Sequence, residues 1–260
     1  MNAHEPRFLP EEWDAVYEAN GRTAESFAFC RSADLVVQAC AELLPKDILV
    51  VDAGCGSGRV SSRLSDLGVR VLAMDRDPAM VRFARRRIAS ASDARGVSFA
   101  AGDVSALPVA DAACEAVVAV SLIGCVADLR GFLAEVHRVL RPGGLVILTV
   151  TNRTSLLLRA NEMLNRWTER MGKRRDECAY YLHRHDDVVR VLGEIGFTVD
   201  RARFYNSFVA RGRRMFPPRR VATAIERFAR GPLAEHLAAN FLLVARRRAH
   251  GAQPQGALPT

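Results

Sequence analysis

Lysine is almost missing from this chain: of 37 basic residues, only Lys46 and Lys173 are not arginine. Against 29 acids this leaves a net charge of +8, an excess that can signal nucleic acid or an anionic surface. Because arginine dominates throughout, much of the excess reads as compositional bias and a solvated basic surface. Long apolar runs are lacking too. None approaches the roughly 18–20 residues of a spanning helix, and the longest, 116–127, reads as a buried strand and the loop after it. The N-terminus has no basic segment leading into an apolar core, so no secretory signal is expected and the chain is placed in the cytoplasm. The six cysteines, at 30, 40, 55, 114, 125 and 178, form no C-x-x-C pair and have no histidine spacing that would frame zinc. They read as reduced, mostly buried small residues, and no metal is expected.

What is present suits one α/β core. About half of the 260 residues are apolar (49%), enough for a single domain with an elaborated lid. The most informative stretch is 48–58, an apolar run that ends in Asp52-Ala53-Gly54-Cys55-Gly56-Ser57-Gly58. Four apolar residues bounded by Asp and Gly suit a strand buried on both faces. The glycines let the backbone turn sharply and approach a ligand without a Cβ in the way. Residues 59–66 continue with helical spacing at Val60, Leu64 and Leu67, and Gly68 stands at the helix end. The turn therefore opens a helix whose N-terminal amides face the ligand.

The glycines run G-x-G-x-G after an acid, one residue short of the dinucleotide fingerprint G-x-G-x-x-G. The pattern instead resembles motif I of the class I S-adenosylmethionine-dependent methyltransferases, and the likeness continues in order. A second strand, 70–75, ends in Asp75, where the resemblance places a carboxylate on the ribose diol, with Arg76 beside it. A third, 97–101, leads into Gly102-Asp103-Val104, the family segment that contacts adenine. A fourth, 116–121, ends at Ser121 and Leu122, which line the cofactor pocket. The run from Phe132 through Arg141-Pro142-Gly143-Gly144 to Leu148 is typical of the helix and turn before the family's fifth strand. Likeness covers roughly 30–152 strongly. It implies S-adenosyl-L-methionine as cofactor, bound by Asp52, Gly54, Cys55, Gly56, Gly58, Asp75, Arg76, Asp103, Val104, Ser121 and Leu122. Cys55 reads as a space-filler within the turn.

The implied fold is a doubly wound, Rossmann-like sheet of seven strands, mostly parallel with an antiparallel last strand. It carries N-terminal helices and a helical lid after strand five. One domain spans 1–248: an N-terminal helical cover (10–45), a cofactor-binding core (46–152), a lid insertion (153–182) and the C-terminal half of the sheet (183–248). The tail 249–260, rich in Gly, Pro, Gln and Ala, is expected to be disordered. The cover reads as two helices parted near Asn20 and Gly21, the second over 26–44. Trp13, Tyr17, Arg22 and Phe27 are lid candidates, and Tyr17 or Arg22 could meet the cofactor's carboxylate. Asp77 caps a helix that opens at Pro78. The segment 156–172 has helical character, and its length marks a lid. A last helix from Asp186, with that residue as N-cap, leads to a sixth strand at Phe197; the final strand is 241–246, and 217–230 reads as helix.

Methyl transfer from a sulfonium is an in-line displacement, so holding the acceptor in near-attack geometry supplies much of the rate. A general base helps where the acceptor loses a proton. His183 and His185 are the candidates, since neutral imidazoles in the closing segment suit that task near pH 7. Asn152 and Arg153, just beyond the fifth strand, and Tyr180 and Tyr181 are candidate acceptor contacts. The Asn/Asp-Pro-Pro-Tyr signature of base amino methylation is missing after Ser121, and so is the Pro-Cys arrangement used on pyrimidine carbon. The resemblance is strongest to small-molecule enzymes of quinone and natural-product biosynthesis. The expected function is transfer to a small organic acceptor, oxygen ahead of nitrogen or carbon. Two alternatives stand beside it. One is an RNA methyltransferase using 201–220, where seven arginines and no acid are interleaved with aromatics. The other is a catalytically idle S-adenosylmethionine-binding partner subunit. Nucleic acid is a possible partner but not the favoured one.

Overall fold

Apolar side chains at alternate positions sort the central strands into two buried faces, and the helices divide between them. The computed structural model describes residues 9–19, 24–90, 96–160, 163, 181–207 and 234–249. Among these, seven strands form one sheet in the order β3-β2-β1-β4-β5-β7-β6. β1 (Leu49–Ala53), β2 (Arg70–Asp75), β3 (Val97–Ala101), β4 (Cys114–Ala119) and β5 (Leu140–Thr151) are parallel. β7 (Asn240–Arg247) lies antiparallel between β5 and β6 (Phe197–Tyr205). This is the doubly wound sheet that the strand and helix alternation predicts.

α2 (Ala24–Leu43), α3 (Arg59–Ser65) and α4 (Pro78–Ser90) cover one face. There Val36, Cys40, Leu64 and Ala84 pack on Val50, Val71, Ala73, Val118 and Ile147. α5 (Leu129–Val139) and α6 (His185–Ile195) cover the other, with Phe132, Leu133, Val136, Val188 and Leu192 on Val51, Val117, Val146 and Leu148. Each fully buried Leu, Ile, Val or Phe contributes about 1.5–3 kcal/mol, so the two layers hold the sheet rigid beneath its C-terminal edge. α1 (Pro10–Glu18) lies outside these layers, against α2 and α4. A short helix, α7 (Ala234–Leu237), precedes β7.

Several boundaries differ from the sequence reading. α5 stops at Val139 and β5 begins at once, so Arg141-Pro142-Gly143-Gly144 is the bent start of a strand and not a loop. Gly143 at φ +80° makes the bend, and the β4–β5 register shifts between Cys114 and Ala116 to absorb it. Asp186 does not cap α6: Arg184 holds the N-cap position, and Asp186 falls in the first turn, where an acid still favours the helix dipole. The cap at Asp77 is present, its Oδ1 accepting the Ala79 amide at 2.8 Å. Residues 156–160 and 163 are helical. The rest of the 156–172 helix, the 217–230 helix, Arg22, Tyr180 and the tail from 250 lie outside the described residues.

Candidate active site

The chain leaves β1 toward β2 and β3, then crosses back to β4 on β1's other side. That reversal opens a crevice at the carboxyl ends of β1 and β4, where open α/β sheets hold ligands. The glycine turn occupies it. Gly54, Gly56 and Gly58 all have positive φ, +72°, +51° and +75°, a region that costs other residues roughly 1–2 kcal/mol each. Space is as tight as conformation. A Cβ on Gly54 would lie 2.8 Å from Leu122 Cδ1, on Gly56 2.9 Å from Trp13 Nε1, and on Gly58 2.9 Å from Ala84 Cβ. Gly58 is also the N-cap of α3, so the turn delivers the first amides of that helix to the crevice.

The three acids named from the sequence have different surroundings. Asp75, at the end of β2, accepts the Gly56 amide on Oδ2 and the Asp77 amide on Oδ1, both at 3.0 Å. Burial raises its pKa and those two amides oppose the shift. A carboxylate has about four acceptor sites, so each oxygen keeps one for a diol hydroxyl. Asp103 is exposed and accepts the Ser105 amide at 2.8 Å, a bond that lowers its pKa. Val104 beside it packs on the apolar core. Arg76 is exposed at the rim near Asp75 and Asp103. Asp52 is turned inward: it is buried and accepts from Ser61 Oγ of α3 at 2.5 Å. Burial pushes its carboxyl up to about 6. Its side chain anchors α3 to β1, while its neighbours Gly54 and Cys55 border the crevice. The Cys55 thiol is buried, raised well above its ordinary pKa by burial, and reaches only the Gly56 carbonyl, at 3.7 Å, as suits a space-filler.

Beyond β4, Ser121 sits at φ +57°, an uncommon conformation for a residue with a side chain. Its amide donates to the buried Thr149 Oγ1 at 2.7 Å, and Leu122 then covers Gly54. The segment at 181–183 crosses this end of the sheet. The Tyr181 amide donates to the Gly124 carbonyl at 2.7 Å and the His183 amide to Thr151 at 3.3 Å, while the His183 carbonyl receives the Arg153 amide at 2.9 Å. The His183 ring is hydrogen-bonded to the Ile123 carbonyl, and burial lowers its pKa despite that bond. Its Nε2 is buried without a partner. Tyr181 and Leu156 are both exposed.

His185 is directed elsewhere. Its ring packs 5.3 Å from Phe204 and 5.5 Å from Phe241, on β6 and β7, and its Nδ1 meets Asp186 at 3.1 Å. The two histidines are thus parted, one on the Ile123 carbonyl beyond β4 and one in an aromatic cluster. Asn152 corrects the expectation of an acceptor contact. Its Nδ2 donates to the carbonyls of Glu235 (2.7 Å) and Ala238 (2.9 Å), and its Oδ1 accepts from Thr154 N (3.0 Å) and Oγ1 (2.7 Å). Every polar site on that amide is committed to joining the end of β5 to the approach to β7. Arg153 is exposed beside His183, and its charge further lowers that imidazole's pKa.

α1 covers the turn. Trp13 lies over Gly56 and packs edge-on against Phe29 at 4.7 Å and Tyr17 at 6.3 Å. Between Trp13, Tyr17, Gly54 and Val120 only about 20 Å³ is left. The sequence missed Thr149 and Asp14: a hydroxyl in a strand and an acid in a helix carry no local sign of a partner 28 or 45 residues away.

The comparisons with known proteins agree with this geometry. Residues 51–148 match a family described as "Methyltransferase domain". That stretch, the core from β1 to β5, is where the chain is similar to methyltransferases. Malonyl-[acyl-carrier protein] O-methyltransferase of Serratia marcescens is 31% identical over 154 residues, 55% of this chain and 56% of that protein. Ubiquinone biosynthesis O-methyltransferase of Methylocella silvestris is 33% identical over 105 residues, 40% of each chain. The chain therefore spans about half the length, or less, of these curated relatives. Among solved structures, magnesium protoporphyrin IX methyltransferase from Synechocystis, with bound S-adenosylhomocysteine, superposes with a TM-score of 0.65 at 18% identity. That match covers 91% of this chain and 93% of the other, and it shows the shared fold. Such domains work with S-adenosylmethionine, and the donor set fits it: a glycine turn at a helix N-terminus, a diol-compatible carboxylate at Asp75 and an apolar wall at Leu122. Among the described residues no helix is long and apolar enough to cross a membrane, and no cluster of His, Cys, Asp or Glu could hold a metal. In the 201–220 segment, Arg201 is paired with Glu42 at 2.7 Å; residues 208–220 lie outside the described residues.

Proposed function

We propose that this protein is an S-adenosylmethionine-dependent methyltransferase that methylates a small organic acceptor on oxygen. The observation that carries the acceptor chemistry is His183. Its Ile123 bond holds the ring in place, and its buried Nε2 faces no protein partner. With its pKa lowered, the imidazole is neutral at pH 7 and ready to take a proton. The bound cofactor supplies an electrophilic methyl on a sulfonium sulfur. The chain's residues do the rest. Asp75 and the glycine turn fix the donor. Ser121 and Leu122 shape the wall between donor and acceptor. Tyr181 and Leu156 offer the acceptor an apolar flank, and His183 takes the hydroxyl proton as oxygen attacks. That the two relatives named above are O-methyltransferases supports oxygen as the accepting atom.

The test has two stages. Calorimetric titration of S-adenosylhomocysteine into the protein and into Asp75→Ala should give micromolar binding that the variant loses. A screen with labelled methyl donor against phenols, alcohols and carboxylic acids then identifies the acceptor. His183→Ala should cut kcat for a hydroxyl acceptor about a hundredfold with cofactor binding unchanged. A carboxylate acceptor, which has no proton to lose at pH 7, would leave kcat unaltered and remove the base from the mechanism. Absence of cofactor binding would overturn the enzyme reading.

A further inference from the structure

Asp14 is buried on α1, and two arginines from different helices converge on it. Arg59, the first residue of α3, grips both oxygens, with Nε at 2.6 Å from Oδ1 and a terminal nitrogen at 3.1 Å from Oδ2. Arg87 of α4 brings its Nε to 3.6 Å from the same Oδ1. Burial alone would raise the Asp14 pKa, but the Arg59 bond and the two positive charges outweigh it and hold it below the ordinary value. Bidentate Arg–carboxylate pairs are the stronger and more directional kind. Without Asp14, the guanidinium groups of Arg59 and Arg87 would keep only the more exposed Glu18, 3.5 Å from Arg59, as a neighbouring acid.

The residue next to Asp14 is Trp13, whose indole lies on Gly56 and leaves about 20 Å³ at the turn, room for about one water. On the other side of the clasp, among α1, α2, α3 and α4, lies a cavity of about 430 Å³ bordered by Tyr17, Glu18, Asp34, Arg59 and Arg87. α1 thus stands between a narrow space at the turn and a wide one beside the clasp, held by its aromatic contacts and by the Asp14 cluster.

We propose that Asp14 is a positioning residue: clasped by Arg59 and Arg87, it holds Trp13 over the glycine turn, and release of that clasp is the step that admits and discharges the cofactor. This rests on the cofactor reading above. A closing element of this kind sets exchange rates without touching the reacting atoms.

Stopped-flow association and dissociation of S-adenosylhomocysteine tests it, in a Trp167→Phe background that leaves Trp13 as the sole indole. Asp14→Asn should speed both rates about tenfold, since it removes charge-assisted bonds of that worth, with the melting temperature little changed. Asp14→Glu, which keeps the charge, should return the rates toward those of the parent protein. Arg87→Gln tests the clasp from the other side, and should speed exchange several-fold even where Asp14→Asn folds poorly. Binding with rates unchanged in Asp14→Asn and Arg87→Gln would overturn the clasp and leave the cofactor reading intact. Equal rates in the Asn and Glu variants would overturn it as well, by showing that charge is irrelevant. No binding by the parent protein would overturn both.

Discussion

The hydroxyl of Thr149, buried near the end of β5, accepts the backbone N–H of Ser121 at 2.7 Å and holds that residue at φ +57°. One side chain on β5 thereby sets the direction in which β4 leaves the sheet. Backbone strain of this kind persists only where the surroundings over-determine it, and it gathers at ligand sites. Thr149→Val should leave the Ser121 amide unpaired, at a cost of about 1–3 kcal/mol, and displace Leu122 from Gly54. Calorimetry should show S-adenosylhomocysteine binding weakened about tenfold. Thr149→Ser should restore it, and Ser121→Gly in the Val background should restore part. Full affinity in Thr149→Val would mean that the bond only stabilises the fold.

Gly58 and Gly143 share a left-handed conformation, φ +75° and +80°, but not their surroundings. A Cβ at Gly58 meets Ala84 Cβ at 2.9 Å, whereas at Gly143 nothing lies within 4 Å. Gly143→Ala should cost only the conformational strain of roughly 1–2 kcal/mol. Gly58→Ala adds crowding and should cost about 2–4 kcal/mol. Urea midpoints at constant m-value separate the two, and equal losses would remove the steric role assigned to Ala84.

Asn152 makes a sharper case for scaffold over catalysis. Substitution by Ala strands the carbonyls of Glu235 and Ala238 and the Thr154 amide, so stability should fall by roughly 2–4 kcal/mol. Turnover per folded molecule, measured well below the melting temperature, should stay within about twofold of the parent protein, as for any residue that only supports the fold. A large drop in kcat with an unchanged urea midpoint would return Asn152 to the acceptor site.

The cofactor half of the site was legible because its signals are local. A glycine that needs positive φ, an acid that ends a strand and a proline that opens a helix each act within a few residues, so the places of Gly54, Asp75 and Pro78 in the fold could be read locally, and their order along the chain carried the cofactor reading. The acceptor half depends on pairings across the fold. His183 and His185 are equivalent in sequence; only the path of 181–183 over Ile123 and Gly124 sets one ring on the Ile123 carbonyl, while Phe204 and Phe241 take the other. Asn152 looked like a reagent because it follows a strand, and its commitment to Glu235 and Ala238 depends on a helix that no periodicity announced. Nothing local marks Asp14, because its partners Arg59 and Arg87 arrive from α3 and α4.

Asp52 should make stability depend on pH in the direction opposite to a salt-bridged carboxylate. Its folded pKa is raised from 3.8 to about 6, with burial as the main cause and the Ser61 bond opposing it. Below pH 4 the group is protonated in both folded and unfolded chains. Between there and pH 6 only the folded chain keeps the proton, so this contribution is fully present at the acid end and is lost as pH rises through about 6. By pH 8 the buried charge costs on the order of 2–3 kcal/mol. Asp52→Asn keeps an acceptor for Ser61 and removes the titration. Its melting temperature should gain on the parent protein by about 5 °C between pH 5 and pH 8. Melting curves that stay parallel across that range would show that Asp52 ionises without cost, and that water or a rearranged Ser61 compensates the buried charge.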